Sequence, residues 1–230
     1  MDFEIRFWCF WISRYQIYSG GWEVNPPRQI LIATSNKGKR AELQLLLSDL
    51  PVELFDLRNF PAVEPIAETG TTFVENASLK AIGYAAQTGL LTLADDSGLA
   101  VDALGGAPGV RSARYTGESA SDAERIEALL AALAFVDESK RSARFVSAVV
   151  IANSNREILN VSVGECEGRI VIAARGHGGF GYDPVFIPNG HDLTFAELKS
   201  EIKNQISHRA HALAATRAYL LALTAASGAG

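Results

Sequence analysis

Short unbroken apolar runs alternate along the chain with longer stretches of helical spacing. Residues 30–34 (Ile-Leu-Ile-Ala-Thr) form a continuous, β-branched run that fits a buried parallel strand. Residues 38–49 take helical spacing, with Leu43, Leu46, Leu47 and Leu50 on one side. Val52–Leu57 reads as a second strand, and Pro61 and Pro65 mark a loop. A helix follows over Thr71–Thr88, with Phe73, Ala77, Ala81 and Tyr84 on one face and Gly89 as its stop. Leu90–Ala94 is another buried strand, and Leu99–Val101 a short one before the turn-rich residues 105–109. Ser121 opens a helix running to about Leu133, with Glu124 completing a capping box. Arg144–Ala152 and Ile158–Gly164 read as the strands of a hairpin. A Gly-rich loop spans Gly176–Gly181, and a last helix runs from His208 to Thr224. Strands alternating with helices predict an α/β fold, and the late strand pair adds an antiparallel part, hence a mixed sheet.

Composition sets the class. With 230 residues, 48% of them hydrophobic and 20% charged, the chain can build a core without a metal or disulfide staple. The net charge of −5 argues against a protein that coats nucleic acid. No apolar run reaches the ~18–20 residues of a membrane helix. Two cysteines, Cys9 and Cys166, are too few for a disulfide scaffold, which points to a reducing compartment and a cytoplasmic protein. Residues 1–28 stand apart: they hold all three tryptophans and eight of the chain's 20 aromatic residues. Asp2, Glu4 and the short apolar stretch Phe7–Ile12 do not make a signal peptide. Residues 1–23 read as the product of a start site placed too far upstream, with Val24 as the candidate first codon. Residues 29–225 then form the functional unit.

Five stretches carry candidate chemistry. Thr34-Ser35-Asn36-Lys37-Gly38-Lys39-Arg40 stands at a strand-to-helix junction. Cations at a helix start oppose the helix dipole, and a bound phosphate resolves that conflict; a solvated, capped turn is the plainer reading. Asp95 and Asp96, in Ala-Asp-Asp-Ser-Gly, leave the end of the buried run Leu90–Ala94. Two adjacent carboxylates there suit a divalent cation or a general base, and equally an Asp-Ser-Gly turn. Gly178-Gly179-Phe180-Gly181-Tyr182-Asp183-Pro184 offers Phe180 as a flat face for a base and Asp183 as an acceptor for a base edge, or else a tight loop with Phe180 as a core plug. Ser207 caps the last helix and His208 and Arg209 open it, with Lys203 just upstream. Asn76 and Lys80 share a helix face at i, i+4, which taken alone is a solvated face. No cysteine and histidine spacing suits zinc.

Together these stretches resemble the inosine triphosphate pyrophosphatase family, whose members hydrolyse non-standard purine nucleoside triphosphates. The matching runs are Thr34–Lys39 (TSNKGK), Thr72–Lys80 (TFVENASLK), Ala94–Asp102 (ADDSGLAVD), Leu104–Tyr115 (LGGAPGVRSARY), Gly178–Pro184 (GGFGYDP) and Ile206–Arg209 (ISHR). They keep the family's order and span about residues 29–222. The resemblance implies an elongated mixed α/β sheet flanked by helices, in two lobes with the active cleft between them. It also implies a Mg²⁺-dependent homodimer that converts ITP, dITP or XTP to the monophosphate and pyrophosphate. Carried over by motif, Thr34, Ser35, Asn36, Lys37, Gly38, Lys39 and Lys80 bind the triphosphate. By the same resemblance Asp96 is the catalytic carboxylate, a proton acceptor and metal ligand, Glu68 a second metal ligand, and Ser97 a substrate contact. Phe180, Gly181, Tyr182, Asp183, Lys203, His208 and Arg209 contact the base and phosphates. Glu68 is the looser match, because many relatives have two acids where this chain has Ala67-Glu68, and Ala210 replaces a common Gly. The other readings are a Maf-like pyrophosphatase for other nucleotides and a nucleotide sensor that does not hydrolyse.

Overall fold

A computed structural model describes residues 28–226. The aromatic-rich segment singled out in the sequence lies outside the described residues, apart from Arg28. Six strands form one mixed sheet: β1 (Arg28–Ile32), β2 (Val52–Asp56), β3 (Leu91–Val101), β4 (Ser142–Ala152), β5 (Ile158–Ile170) and β6 (Phe186–Pro188), in the order β2-β1-β3-β4-β5-β6. β1 runs parallel to both β2 and β3. The pairings β3–β4, β4–β5 and β5–β6 are antiparallel. Five α-helices flank the sheet: α1 (Lys37–Leu46), α2 (Phe73–Thr88), α3 (Asp122–Ala132), α4 (Ser200–Ile206) and α5 (His208–Ala226). Local signals set most helix ends close to where the sequence placed them, though α1 stops three residues before the expected 49 and α2 starts two residues after Thr71. Capping boxes Thr72–Glu75 and Ser121–Glu124 open α2 and α3, and Gly89 closes α2.

The core is divided. On one face of the sheet α1 and α5 bury Leu43, Leu47, Leu213 and Leu220 against Ile30, Ile32, Leu93 and Val149. On the other face α2 buries Ala77, Ala81 and Tyr84 against Leu31, Ala33, Ala94 and Ala148. The far ends of β3, β4 and β5 join β6 and α3 in a separate cluster around Leu99, Leu129, Phe145, Phe186 and Phe195. β3 and β4 therefore run through both lobes, and the middle of β3 crosses from one to the other.

That middle corrects the sequence reading. The two separate strands expected at Leu90–Ala94 and Leu99–Val101 are one continuous strand, paired with β4 from Thr92↔Ala152 to Val101↔Ala143, and the alternative Asp-Ser-Gly turn between them does not form. The ladder outweighs the local turn preference of Asp, Ser and Gly. Asp95 and Asp96 lie inside a strand, two and three residues past Leu93, the partner of the last residue of β1. They stand beyond the parallel part of the sheet, where ligands of α/β proteins bind. β5 also extends six residues past the predicted Gly164. β6 and α4 were not predicted, because three and seven residues are too short for a periodic signal.

α5 reaches the sheet through Gly164. A Cβ at this position would lie 2.2 Å from the Ala212 nitrogen and 2.3 Å from the His208 carbonyl oxygen. Only glycine permits that approach, which sets the first turn of α5 on β5. Gly164→Ala is expected to lower the unfolding free energy by about 1–3 kcal/mol, since helix backbone cannot step aside as a flexible side chain can. Val163→Ala, on the exposed face of the same strand, should stay within about 0.5 kcal/mol. Urea denaturation of both variants checks this, and equal losses would refute it.

Candidate active site

Successive side chains of a strand point to opposite faces, and β3 uses this at its centre. Asp95 and Ser97 face α1 and α5, as Leu93 does, whereas Asp96 faces α2 with Ala94. Asp95 is fully engaged. Ser147 of β4 and Ser97 donate hydrogen bonds to its two oxygens, Lys39 Nζ lies 3.0 Å away, and Arg209 Nε lies 3.5 Å away. Burial alone would raise its pKa. The Arg209 and Lys39 charges and the Ser147 hydroxyl outweigh burial and hold it well below the usual carboxylate range.

Asp96 has the opposite balance. Lys80 Nζ, 3.2 Å from Oδ1, is its one ion-pair partner, and Oδ2 is buried with no hydrogen-bond partner among the described residues. Burial raises its pKa, and the neighbouring Glu68 and Asp95 carboxylates add to the rise against the pull of Lys80 and Lys39. Lys80 also pairs with Glu68 at 2.8 Å, and Arg114 reaches the same Glu68 at 3.4 Å. Burial works against the charge on Lys80, but Asp96 and Glu68 outweigh it and keep the ammonium protonated.

On the Asp95 face a cavity opens between the lobes. Its walls include Asn36, Lys39, Ser97, Phe180, Lys203 and His208, with Arg209, Gly181, Tyr182 and Asp183 also at its surface. Phe180 packs against the first turn of α1, where a Cβ on Gly38 would lie 2.5 Å from the ring. Lys203 Nζ stands 4.8 Å from the centre of that ring. His208 stacks on Phe145 at 4.8 Å and 12°. Burial, with Arg209 beside it, pushes the His208 pKa well below its ordinary value, so the imidazole is neutral; its Nδ1 has no partner among the described residues.

The structure thus brings Asn36, Lys39, Ser97, Phe180, Gly181, Tyr182, Asp183, Lys203, His208 and Arg209 to one cavity. Glu68, Lys80 and Asp96 gather on the other face of β3. Thr34 accepts the Asn36 N–H and shapes the loop into α1, while Ser35 and Lys37 are exposed there. Asp183, expected to accept from a base, uses Oδ2 for Lys203 and for the Phe180 N–H.

Several residues escaped the sequence reading. Glu42 of α1 bridges Arg209 and Lys203. Its signal was an acid three residues after Lys39 on the same helix. Ser147 and Phe145 depend on the β3–β4 register and gave none. Asp122 and Arg125 hid in an ordinary helix start.

Four buried side-chain atoms have no hydrogen-bond partner among the described residues: Asn76 Nδ2, Asp96 Oδ2, His208 Nδ1 and Arg209 Nε, the last in ion-pair range of Asp95. All four belong to the stretches that the sequence singles out for candidate chemistry. Unsatisfied buried polar atoms are rare and costly in folded proteins, so their concentration here marks a place built to meet a polar ligand. A ring, buried cations and unpartnered polar atoms at the edge of a parallel sheet segment define an α/β protein of the nucleotide-binding class. The chain belongs to the Ham1 family, whose model matches residues 30–219. It is 48% identical over 199 residues to a dITP/XTP pyrophosphatase of Vibrio parahaemolyticus, covering 86% of this chain and 99% of the relative. It is 50% identical over 186 residues to a dITP/XTP pyrophosphatase of Geobacillus kaustophilus, covering 81% and 91%. The solved structure of a HAM1 protein from Coxiella burnetii superposes with a TM-score of 0.77 at 47% identity, over 84% of this chain and 98% of that one.

The buried neutral His208 has a consequence for stability. Its folded pKa lies below the unfolded value, so its contribution is complete above about pH 6.5 and is lost as pH falls below it. From pH 7.5 to 5.5 the parent should lose about 1.4 kcal/mol more unfolding free energy than His208→Asn. Urea titrations at the two pH values test this; parallel losses in both proteins would contradict a neutral, buried His208.

Proposed function

We propose that the chain hydrolyses non-standard purine nucleoside triphosphates, ITP, dITP and XTP, to the monophosphate and pyrophosphate. The observation that carries the reading is the division at β3: a stacking cavity on one face and, on the other, a carboxylate with one unpartnered buried oxygen beside a charged lysine. The dITP/XTP pyrophosphatase relatives support the same reaction and disfavour both the Maf-like alternative and a sensor that does not hydrolyse.

Asp95, saturated by its partners, positions Lys39 and Arg209. Asp96, whose burial raises its basicity, is the group that takes a proton from water. That water attacks the α-phosphorus, the bond to the bridging oxygen of the β-phosphate breaks, and pyrophosphate leaves with the bonding electrons. Lys39, Lys80 and the start of α1, with Asn36 as its cap and Lys37 exposed beside it, stabilise the charge that develops.

The oxygen donors fit a hard divalent cation, for which we propose Mg²⁺. Asp96 Oδ2 is unpartnered, Glu68 shares Lys80 with Asp96, and no cluster of three acidic, His or Cys side chains occurs among the described residues. Two carboxylates plus substrate phosphates and water is the donor set Mg²⁺ ordinarily takes. The bound ion supplies countercharge to the phosphate oxygens and orients them.

For the base, Phe180 supplies the stacking face, and His208 and Arg209 stand within the cavity as donors for a six-carbonyl oxygen. Adenine presents an amino group at that place, leaving donor against donor. The activity is assigned to residues 29–225. The homodimer and the cytoplasmic location rest on the family resemblance and on the low cysteine content.

With Mg²⁺, ITP and XTP should yield pyrophosphate and little orthophosphate, while ATP and GTP turn over far more slowly. Asp96→Asn should lower kcat by about 10³-fold. Turnover of dTTP alone, or an Asp96→Asn protein of near-parental rate, would overturn the reading.

A further inference from the structure

One wall of the cavity comes from none of the motifs. α3 begins with Asp122, directly after its cap Ser121, and Asp122 and Arg125 line the cavity together with Phe180 and His208. The two oxygens of Asp122 work in different directions. Oδ2 accepts the N–H of Gly181 at 2.7 Å, and Oδ1 pairs with Arg125. Arg125 in turn donates to the carbonyls of Ala113 at 2.7 Å and Ala120 at 2.6 Å, which anchors the segment carrying α3. The preceding amide, that of Phe180, donates to Asp183 at 2.9 Å, and Asp183 pairs with Lys203. Two successive amides are therefore gripped by carboxylates on different elements, and the ring of Phe180 hangs between them.

We propose that Asp122 is a positioning residue for the base pocket. By holding the Gly181 amide it sets Phe180 at the spacing a purine requires; this rests on the nucleotide reading above. The Gly-rich loop has few side chains with which to hold itself. An amide bond to a carboxylate is charge-assisted and stronger than a neutral one. A stacking gap formed in advance removes an ordering cost from nucleotide binding. The phosphate-side cations are carried elsewhere: Lys39 on α1 pairs with Asp95, and Lys80 on α2 pairs with Glu68 and Asp96. Loss of Asp122 should weaken the hold on the base and spare the hold on the phosphates.

The test compares the parent, Asp122→Ala and Asp122→Asn in three measurements: ITP kinetics with Mg²⁺, inhibition by inorganic tripolyphosphate, and hydrogen exchange of residues 178–183. Asp122→Ala should raise the KM for ITP about 10-fold, as loss of a fixed stacking partner would. Its kcat should stay within about 3-fold and its tripolyphosphate inhibition constant should not change. Exchange across residues 178–183 should speed up in the same variant. Asp122→Asn keeps an acceptor oxygen and should bring KM back to within about 3-fold of the parent. An unchanged KM in Asp122→Ala overturns the proposal. So does a KM that rises in step with the tripolyphosphate constant, the mark of a general structural role, and so does an Asn variant as impaired as Ala. If the parent itself does not turn over ITP, the nucleotide reading is what fails, and the exchange comparison still decides whether Asp122 holds the loop.

Discussion

Asp95 and Asp96 are adjacent in the chain, and a pleated strand sends them to opposite sides of the sheet. The rest of the site depends on this step. On the α1 and α5 face, Asp95 meets Lys39, Arg209 and two serine hydroxyls and is fully satisfied. On the α2 face, Asp96 meets Lys80 and keeps an unpartnered oxygen. The two surroundings push the pKa values apart, Asp95 down and Asp96 up. Paired carboxylates driven apart in this way can divide roles, and the mechanism proposed above gives the saturated Asp95 the anchoring part and the more basic Asp96 the proton. Had the pair sat in a turn, both would have faced one solvent-filled space and repelled each other in a single environment.

Asp95 is also one member of an alternating string of charges, Lys39–Asp95–Arg209–Glu42–Lys203–Asp183. Isolated buried charges are prohibitively costly, and alternation gives each one two opposite neighbours or an end at the cavity. Such strings are weak sources of stability, because desolvation consumes most of the Coulomb gain. Their effect is geometric. Arg209 is held between Asp95 and Glu42, Lys203 between Glu42 and Asp183, and Lys203 is thereby fixed over the Phe180 ring. The end of the site that meets phosphate and the end that meets a base are set by one continuous chain of ion pairs spanning α1, β3, α4 and α5.

Much of this was legible where the signal is local. The α/β alternation, most of the strands, the capping box of α3, the Gly89 stop of α2 and the approximate span of α5 follow from spacing and cap residues. Asp95 and Asp96 read as leaving a strand's end, with a turn as the equal alternative, because Asp-Ser-Gly has turn chemistry that only the β4 ladder, some fifty residues away, overrides. The same dependence on register hid Ser147 and Phe145. The motifs located Lys39, Phe180, Lys203, His208 and Arg209, which the fold does bring to one cavity. They did not show Glu42 or Asp122, whose work is to hold those residues. Residues that face a ligand leave unusual local patterns such as clustered lysines or glycines around an aromatic. Residues that position them look like any acid on a helix.

The charge count explains why the chain's own cations do not suffice for a triphosphate. The string on the Asp95 face has three cations and three anions. On the Asp96 face Lys80 and Arg114 stand against Glu68 and Asp96. Both faces are balanced before any substrate arrives, and the first turn of α1 adds the exposed Lys37 together with Arg40, whose partner Asp56 is shared with Arg58. That helix has no acid in its first turn, so its dipole favours an anion without a competing carboxylate. A triphosphate brings several negative charges into this neutral setting, and breaking its α–β bond concentrates more of that charge on the leaving pyrophosphate. Lys37, Arg40 with its shared partner, and one helix start fall short of neutralising it. Both lysines act across the strand: Lys39 pairs with Asp95 and also acts on Asp96 and Glu68, and Lys80 pairs with Asp96 and Glu68 and also acts on Asp95. Drawing Lys39 toward phosphate would therefore weaken Asp95 on one side and raise the basicity of Asp96 on the other. In the reading proposed above, a divalent countercharge held by Asp96 and Glu68 would let the lysines keep their carboxylate partners while the phosphates are bound, which gives a metal a physical role in a site whose own charges largely cancel.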